Sequence, residues 1–157
     1  MATPKFTPRN YFNAAQEHLG LAGQMLRQAQ PQYFVAHYFA GIAVEDILRS
    51  LSVKEGESFD RTHNIEEWAR KANLLPLGSI EQQDKFRIAL DEINTRWRAS
   101  QRYFTVKILD TYLASTRLDK VRGDRVKYSS KRLFELATDV VGYGVQKWEL
   151  NNKSKKS

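Results

Sequence analysis

Two kinds of side chain that can bind a nucleotide occur together within eight residues of the second half of the chain. They are three arginines and a tyrosine, namely Arg96, Arg98, Arg102 and Tyr103. Guanidinium groups present paired donors to phosphate, and an aromatic ring can stack on a base. In a helix, Arg98 and Arg102 would share one face because they are four residues apart. The cluster predicts a phosphate or nucleotide site; alternatively, these arginines only complement the helix dipole and are solvated.

A second candidate polar site involves Glu45 and His63. Glu45 lies in the middle of an apolar segment, so its carboxylate is expected to be buried and to need a partner. Arg102 or His63 could supply that partner. We therefore expect Glu45 and His63 to support the arginine cluster, although such a pair can also be purely structural.

Positive charge is concentrated in residues 96–132. The whole chain carries a net charge of +7; this segment has 11 basic and 3 acidic residues, whereas residues 1–95 have 10 and 12. Such a concentration attracts anionic partners, including nucleotides and RNA. The alternative interpretation is a solvated basic face with no ligand.

The spacing of apolar residues predicts an all-α domain. Thr7-Pro8 and the pattern from Ser79 to Gln82 mark helix starts. Gly41, Gly142 and Gly144 indicate close helix packing. We expect an antiparallel bundle of four to five helices in one domain, residues 1–150, followed by a disordered basic tail, 151–157. The predicted helices are 8–28, 32–52, 64–73, 80–103 and one from 129 or 130. Between the last two, residues 106–115 could form one or two helical turns, and residues 116–128 are predicted to be mostly loop.

Several classes of protein are excluded or disfavoured by the composition. The chain has no cysteine, which rules out disulfides, thiolate ligands and cysteine nucleophiles. Neither repeated Glu-x-x-His pairs nor a phosphate-binding glycine loop is present, so we expect no metal and no cofactor. No apolar run is long enough to cross a membrane, and the N-terminus does not resemble a secretory signal. These features favour a cytoplasmic protein.

Three short patterns together resemble the HEPN superfamily, the higher eukaryote and prokaryote nucleotide-binding domains. The first is residues 38–48, YFAGIAVEDIL, a helix of small and aliphatic residues with Glu45 near its middle. The second is Thr62-His63-Asn64-Ile65, at the entry to a helix. The third is Arg102-Tyr103-Phe104, with phenylalanine where proline is usual in one subgroup. The resemblance covers roughly residues 8–150.

Membership would imply a helical bundle, often a homodimer, with a polar site in a groove or at the dimer interface. Many members are metal-independent ribonucleases that carry Arg, four to six residues and then His late in the chain. No histidine follows the basic segment here, so the resemblance gives no basis for assigning that activity. It favours a nucleotide- or RNA-binding module, acting as a homodimer or with a minimal nucleotidyltransferase. The alternatives are a divergent ribonuclease using Arg98 or Arg102 with His63 or Tyr103, and an antitoxin-like interaction protein.

Overall fold

Helices make up most of the chain described by a computed structural model, which covers residues 6–52, 65–72, 79–118 and 123–155. This part contains no β-strand, so the predicted all-α class is confirmed. It has six α-helices, one more than the upper limit predicted. They are α1 (Pro8–Arg27), α2 (Tyr33–Ser52), α3 (Ile65–Ala72), α4 (Ile80–Arg96), α5 (Val106–Thr116) and α6 (Arg125–Lys155), with a 3-10 turn (Ala99–Tyr103) between α4 and α5.

Helix α2 is the central element. Every residue from Ala40 to Ser50 is buried, because α1, α3 and α6 all pack against this helix. The short connection after α1 makes α1 and α2 antiparallel neighbours. Burial on every side of α2 encloses its polar residues as well as its apolar ones. These polar residues must therefore find partners on the surrounding helices.

Two helix starts follow directly from the sequence. The Thr7 side chain accepts a hydrogen bond from the Asn10 backbone N–H, and Ser79 does the same with Gln82. Both are reciprocal capping boxes, which satisfy backbone donors that the first turn of a helix leaves without partners. The predicted starts of α1 and α4 are confirmed.

Helix α4 ends at Arg96 and does not continue to residue 103 as predicted. Trp97 is extended, with φ −118° and ψ 131°, and its side chain is only 1% exposed. This conformation turns the indole into the core, where its Nε1–H donates to Glu45. A tertiary contact therefore outweighs the local preference for helix.

Helix α5 occupies the segment in which one or two helical turns were considered, and its 11 residues make about three turns. The Thr105 side chain caps this helix, and Leu109 and Leu113 are buried against Val126 and two aromatic residues of α2. Helix α6 is longer than predicted at both ends. It begins at Arg125, where the Asp124 carboxylate accepts from the Lys127 N–H, and it includes residues 151–155 of the predicted tail. None of the helices described is both long and apolar enough to span a membrane.

Candidate functional site

The buried carboxylate of Glu45 links α2 to the 3-10 turn. Glu45 is 1% exposed, and its Oε1 accepts from Trp97 Nε1 at 2.9 Å. Its Oε2 lies 3.0 Å from Arg102 Nη2 and 3.5 Å from Arg49 Nη2. The predicted pairing of Glu45 with Arg102 is present. His63, the other predicted partner, lies outside the residues that the structure describes.

The 3-10 turn holds Tyr103 away from the core. On its inner side Gln101 is 3% exposed and donates to the Arg96 carbonyl at 2.7 Å. On its outer side the Arg102 side chain is 31% exposed and Tyr103 is 86% exposed. The aromatic ring of Tyr103 is therefore accessible on an open surface, next to an arginine whose position is fixed by Glu45.

Arg98 and Arg102 do not share a helix face as predicted, because α4 ends before either residue. Arg98 is extended and comes immediately before the 3-10 turn, whereas Arg102 lies within it. Arg98 is exposed, and its Nε donates to the Tyr112 hydroxyl at 3.1 Å. That hydroxyl in turn donates to the Thr95 carbonyl at 2.6 Å. Arg98 is thereby tied to α5, and the two arginines stand at opposite ends of the turn.

Arg96 is inside the protein, which corrects its prediction as a direct ligand contact. Its side chain is 3% exposed, with Nε 3.4 Å from Glu92 Oε2 and Nη1 3.2 Å from Ser129 Oγ. Arg132 binds the same Glu92 carboxylate at 2.7 Å. Arg96 thus joins α4 to α6, and its contribution to any ligand site is to hold neighbouring residues in place.

Exposed cations continue from the 3-10 turn onto α5 and the first turns of α6. We call this set the basic surface, and its members are Arg98, Arg102, Lys107, Arg117, Lys127 and Lys131. Some positive charge in the segment is balanced locally: Arg125, for example, lies 3.7 Å from Asp110. The excess of positive charge read from the sequence is therefore only partly available to an anionic ligand.

His37 lies beneath the 3-10 turn and is 1% exposed. Its Nε2 is 3.0 Å from Gln101 Oε1. The space beside the ring, next to Trp97, is too small for a water molecule. Burial lowers the pKa of His37 to about 4, although the hydrogen bond to Gln101 opposes this shift. We therefore expect His37 to be neutral at physiological pH.

This burial predicts an acid-sensitive fold. The His37 pKa is 6.5 when unfolded and about 4 when folded, so below pH 6.5 protons bind preferentially to the unfolded chain. The free energy of unfolding should fall by roughly 2–3 kcal/mol between pH 6.5 and pH 4 through this group alone. Urea titrations at a series of pH values measure the loss. His37→Gln should remove this part of the pH dependence and His18→Gln should keep it; an identical slope in wild type and His37→Gln would contradict the assignment.

A pair between α1 and α2 was not anticipated from the sequence. His18 Nδ1 lies 2.8 Å from Asp46 Oδ2, and the two side chains are 30% and 10% exposed. Burial raises the pKa of the Asp46 carboxyl, and the hydrogen bond with His18 offsets part of that rise. The available signal was the adjacency of Glu45 and Asp46 on one helix, since adjacent residues point in different directions and need separate partners.

No group of three or more His, Cys, Asp or Glu side chains in the described residues is arranged to hold a metal ion. No family model, curated protein or solved structure matches this chain. The arrangement of its own side chains is therefore the basis for assigning a function.

Proposed function

We propose that this chain is a nucleotide- or RNA-binding helical module of HEPN-like type. The observation that carries the proposal is Tyr103, which is 86% exposed and directly follows Arg102 in the 3-10 turn that Arg98 precedes. An aromatic side chain this exposed gains little from folding by itself, but it can stack on a base from solution. The guanidinium groups of Arg98 and Arg102, which belong to the same turn, suit the phosphates attached to such a base.

The resemblance to HEPN proteins gives independent support. Two of its three patterns are in direct contact, since Glu45 of the first binds Arg102 of the third at 3.0 Å. A buried carboxylate that holds an arginine at the surface is a suitable device for presenting a donor to an anionic ligand. The resemblance further leads us to propose action as a homodimer or together with a minimal nucleotidyltransferase.

Removing two positive charges from the basic surface should weaken the binding of RNA. We expect Arg98→Ala with Lys107→Ala to lower the affinity for a labelled single-stranded RNA about tenfold at moderate salt. Both side chains are exposed, and the Tyr112 hydroxyl keeps its bond to the Thr95 carbonyl without Arg98, so their loss should leave the fold intact. The slope of log affinity against log salt should decrease by about 1.5. Fluorescence anisotropy at several salt concentrations measures both quantities.

The matched control is Lys85→Ala with Arg87→Ala on α4. These side chains are 77% and 60% exposed and pair only with neighbours on their own helix, Glu81 and Asp84, in the described part of the chain. Both double variants change the net charge equally. An equal loss in both would indicate attraction to overall charge and contradict the site, and the absence of binding by the wild-type protein to RNA and nucleotides would overturn the proposed function.

A further inference from the structure

A second exposed tyrosine, Tyr128, lies on the first turn of α6 and is 45% exposed. The guanidinium carbon of Arg96 is 5.8 Å from the centre of its ring, within the range of a cation–π contact. Arg96 is itself fixed by Glu92 and Ser129. The ring of Tyr128 is thus supported from inside the protein by a positioned guanidinium, while part of it remains accessible to solvent.

Two exposed lysines lie close to this second tyrosine along α6. Lys131 is three residues after Tyr128 on α6, so the two side chains are neighbours on the helix surface. Lys127 precedes it, with Nζ 5.7 Å from the centre of the Tyr33 ring. Both lysines are exposed. Tyr128 therefore resembles Tyr103 in combining an accessible ring with exposed cations nearby in the chain.

A chain of contacts connects the two tyrosines. Phe104, which follows Tyr103, contacts the Tyr112 ring with 5.9 Å between centroids. The Tyr112 hydroxyl donates to the Thr95 carbonyl, and the next residue, Arg96, supports Tyr128. Exposed Arg98 lies along this path through its bond to Tyr112. The 3-10 turn, α5 and α6, which carry the two rings and the basic surface, are thus linked by direct contacts.

We propose that the basic surface binds a single strand of nucleic acid, with one base stacked on Tyr103 and another, further along the strand, on Tyr128. This inference rests on the proposed function and specifies its ligand. A mononucleotide can occupy one ring only, whereas a strand can reach both while its phosphates contact Arg98, Lys127 and Lys131. Stacking on aromatic rings tolerates any base, and the open surface does not enclose a ligand.

The test is the dependence of affinity on length. Labelled adenosine monophosphate and oligoadenylates of 2, 4, 8 and 12 nucleotides are titrated at fixed salt, as RNA and as DNA, together with a 12-base-pair RNA duplex. We expect affinity to rise with length and then to level off once a strand reaches both rings. If the affinity reaches a plateau with strand length in RNA, in DNA or in both, the protein binds a single strand. The series that shows the plateau identifies the sugar of the ligand. Equal affinity for the mononucleotide and the 12-mer, or for duplex and single strand, overturns the inference.

Substitutions at Tyr103 and Tyr128 test whether each ring binds a base. Tyr128→Ala should lower the affinity for the 12-mer about tenfold and leave that for the mononucleotide unchanged, whereas Tyr103→Ala should lower both. Tyr128→Phe keeps the ring and should bind like wild type.

Lys127→Ala with Lys131→Ala provides a second test that leaves the tyrosine in place, and it should also weaken only the binding of the longer strands. If neither α6 variant affects the 12-mer, the second position is refuted while the proposed function stands; if no ligand binds at all, both are refuted.

Discussion

Replacing Glu45 with alanine is expected to lower the free energy of unfolding by about 3–5 kcal/mol, as when one partner is removed from a buried ion pair. The carboxylate accepts from Trp97 and lies next to the guanidinium groups of Arg49 and Arg102. Arg49 is only 4% exposed, so the variant would remove a carboxylate from beside a buried cation. Urea denaturation followed by circular dichroism measures the change.

Two further variants separate the contributions of this cluster. Arg102→Ala should cost only about 1 kcal/mol, because the Arg102 side chain is 31% exposed and water can replace part of its contact. Glu45→Gln keeps an acceptor for the Trp97 N–H but loses the charge, so its cost should be intermediate. A cost below 1 kcal/mol for Glu45→Ala would show that the carboxylate is not the main link between α2 and the 3-10 turn.

The features that the sequence predicts correctly depend on short-range interactions. The starts of α1 and α4 are set by capping residues that bond within three positions, at Thr7 and Ser79. The burial of Glu45 and its pairing with Arg102 also follow from a simple rule. A carboxylate in the middle of an apolar helix is buried with that helix, and a buried carboxylate needs a cation.

The features that the sequence does not predict depend on contacts between distant residues. The end of α4 is set by Trp97, whose indole binds Glu45, 52 residues earlier. Nothing local marks that position, because the surrounding residues are compatible with helix. The burial of Arg96 follows from the same geometry. Its charge suggests a ligand contact, but only the packing of α4 on α6 places it between Glu92 and Ser129.

His18 illustrates the same limit for the polar network. This histidine lies on the amphipathic helix α1, and its side chain is 30% exposed. Its contact with Asp46 depends on the rotation of α1 relative to α2, which a pattern of apolar residues does not define closely enough. Local sequence therefore identified which polar residues need partners, and the packing of helices decided which partners they have.

Gly41→Ala should be among the most destabilising single substitutions of a small residue in this protein. An added Cβ would meet the six-membered ring of Trp97 well inside van der Waals contact, so the indole would have to move. Trp97 is 1% exposed and hydrogen-bonded to Glu45, so the core has no space to receive it. We expect a loss of about 3 kcal/mol or more in the free energy of unfolding, at the upper end of the range for overpacked cores.

Gly142→Ala on α6 is the matched control, and it also corrects the expectation that Gly142 marks close packing. A Cβ at Gly142 meets nothing within 4 Å, so alanine should stabilise the helix by about 0.5–1 kcal/mol. Gly41→Ala should in addition weaken RNA binding, because the displaced Trp97 immediately precedes Arg98 and the 3-10 turn that carries Tyr103. Similar stabilities for the two variants would contradict the packing of Trp97 on Gly41. A destabilised Gly41→Ala protein with unchanged RNA affinity would show that the binding surface does not depend on the position of Trp97.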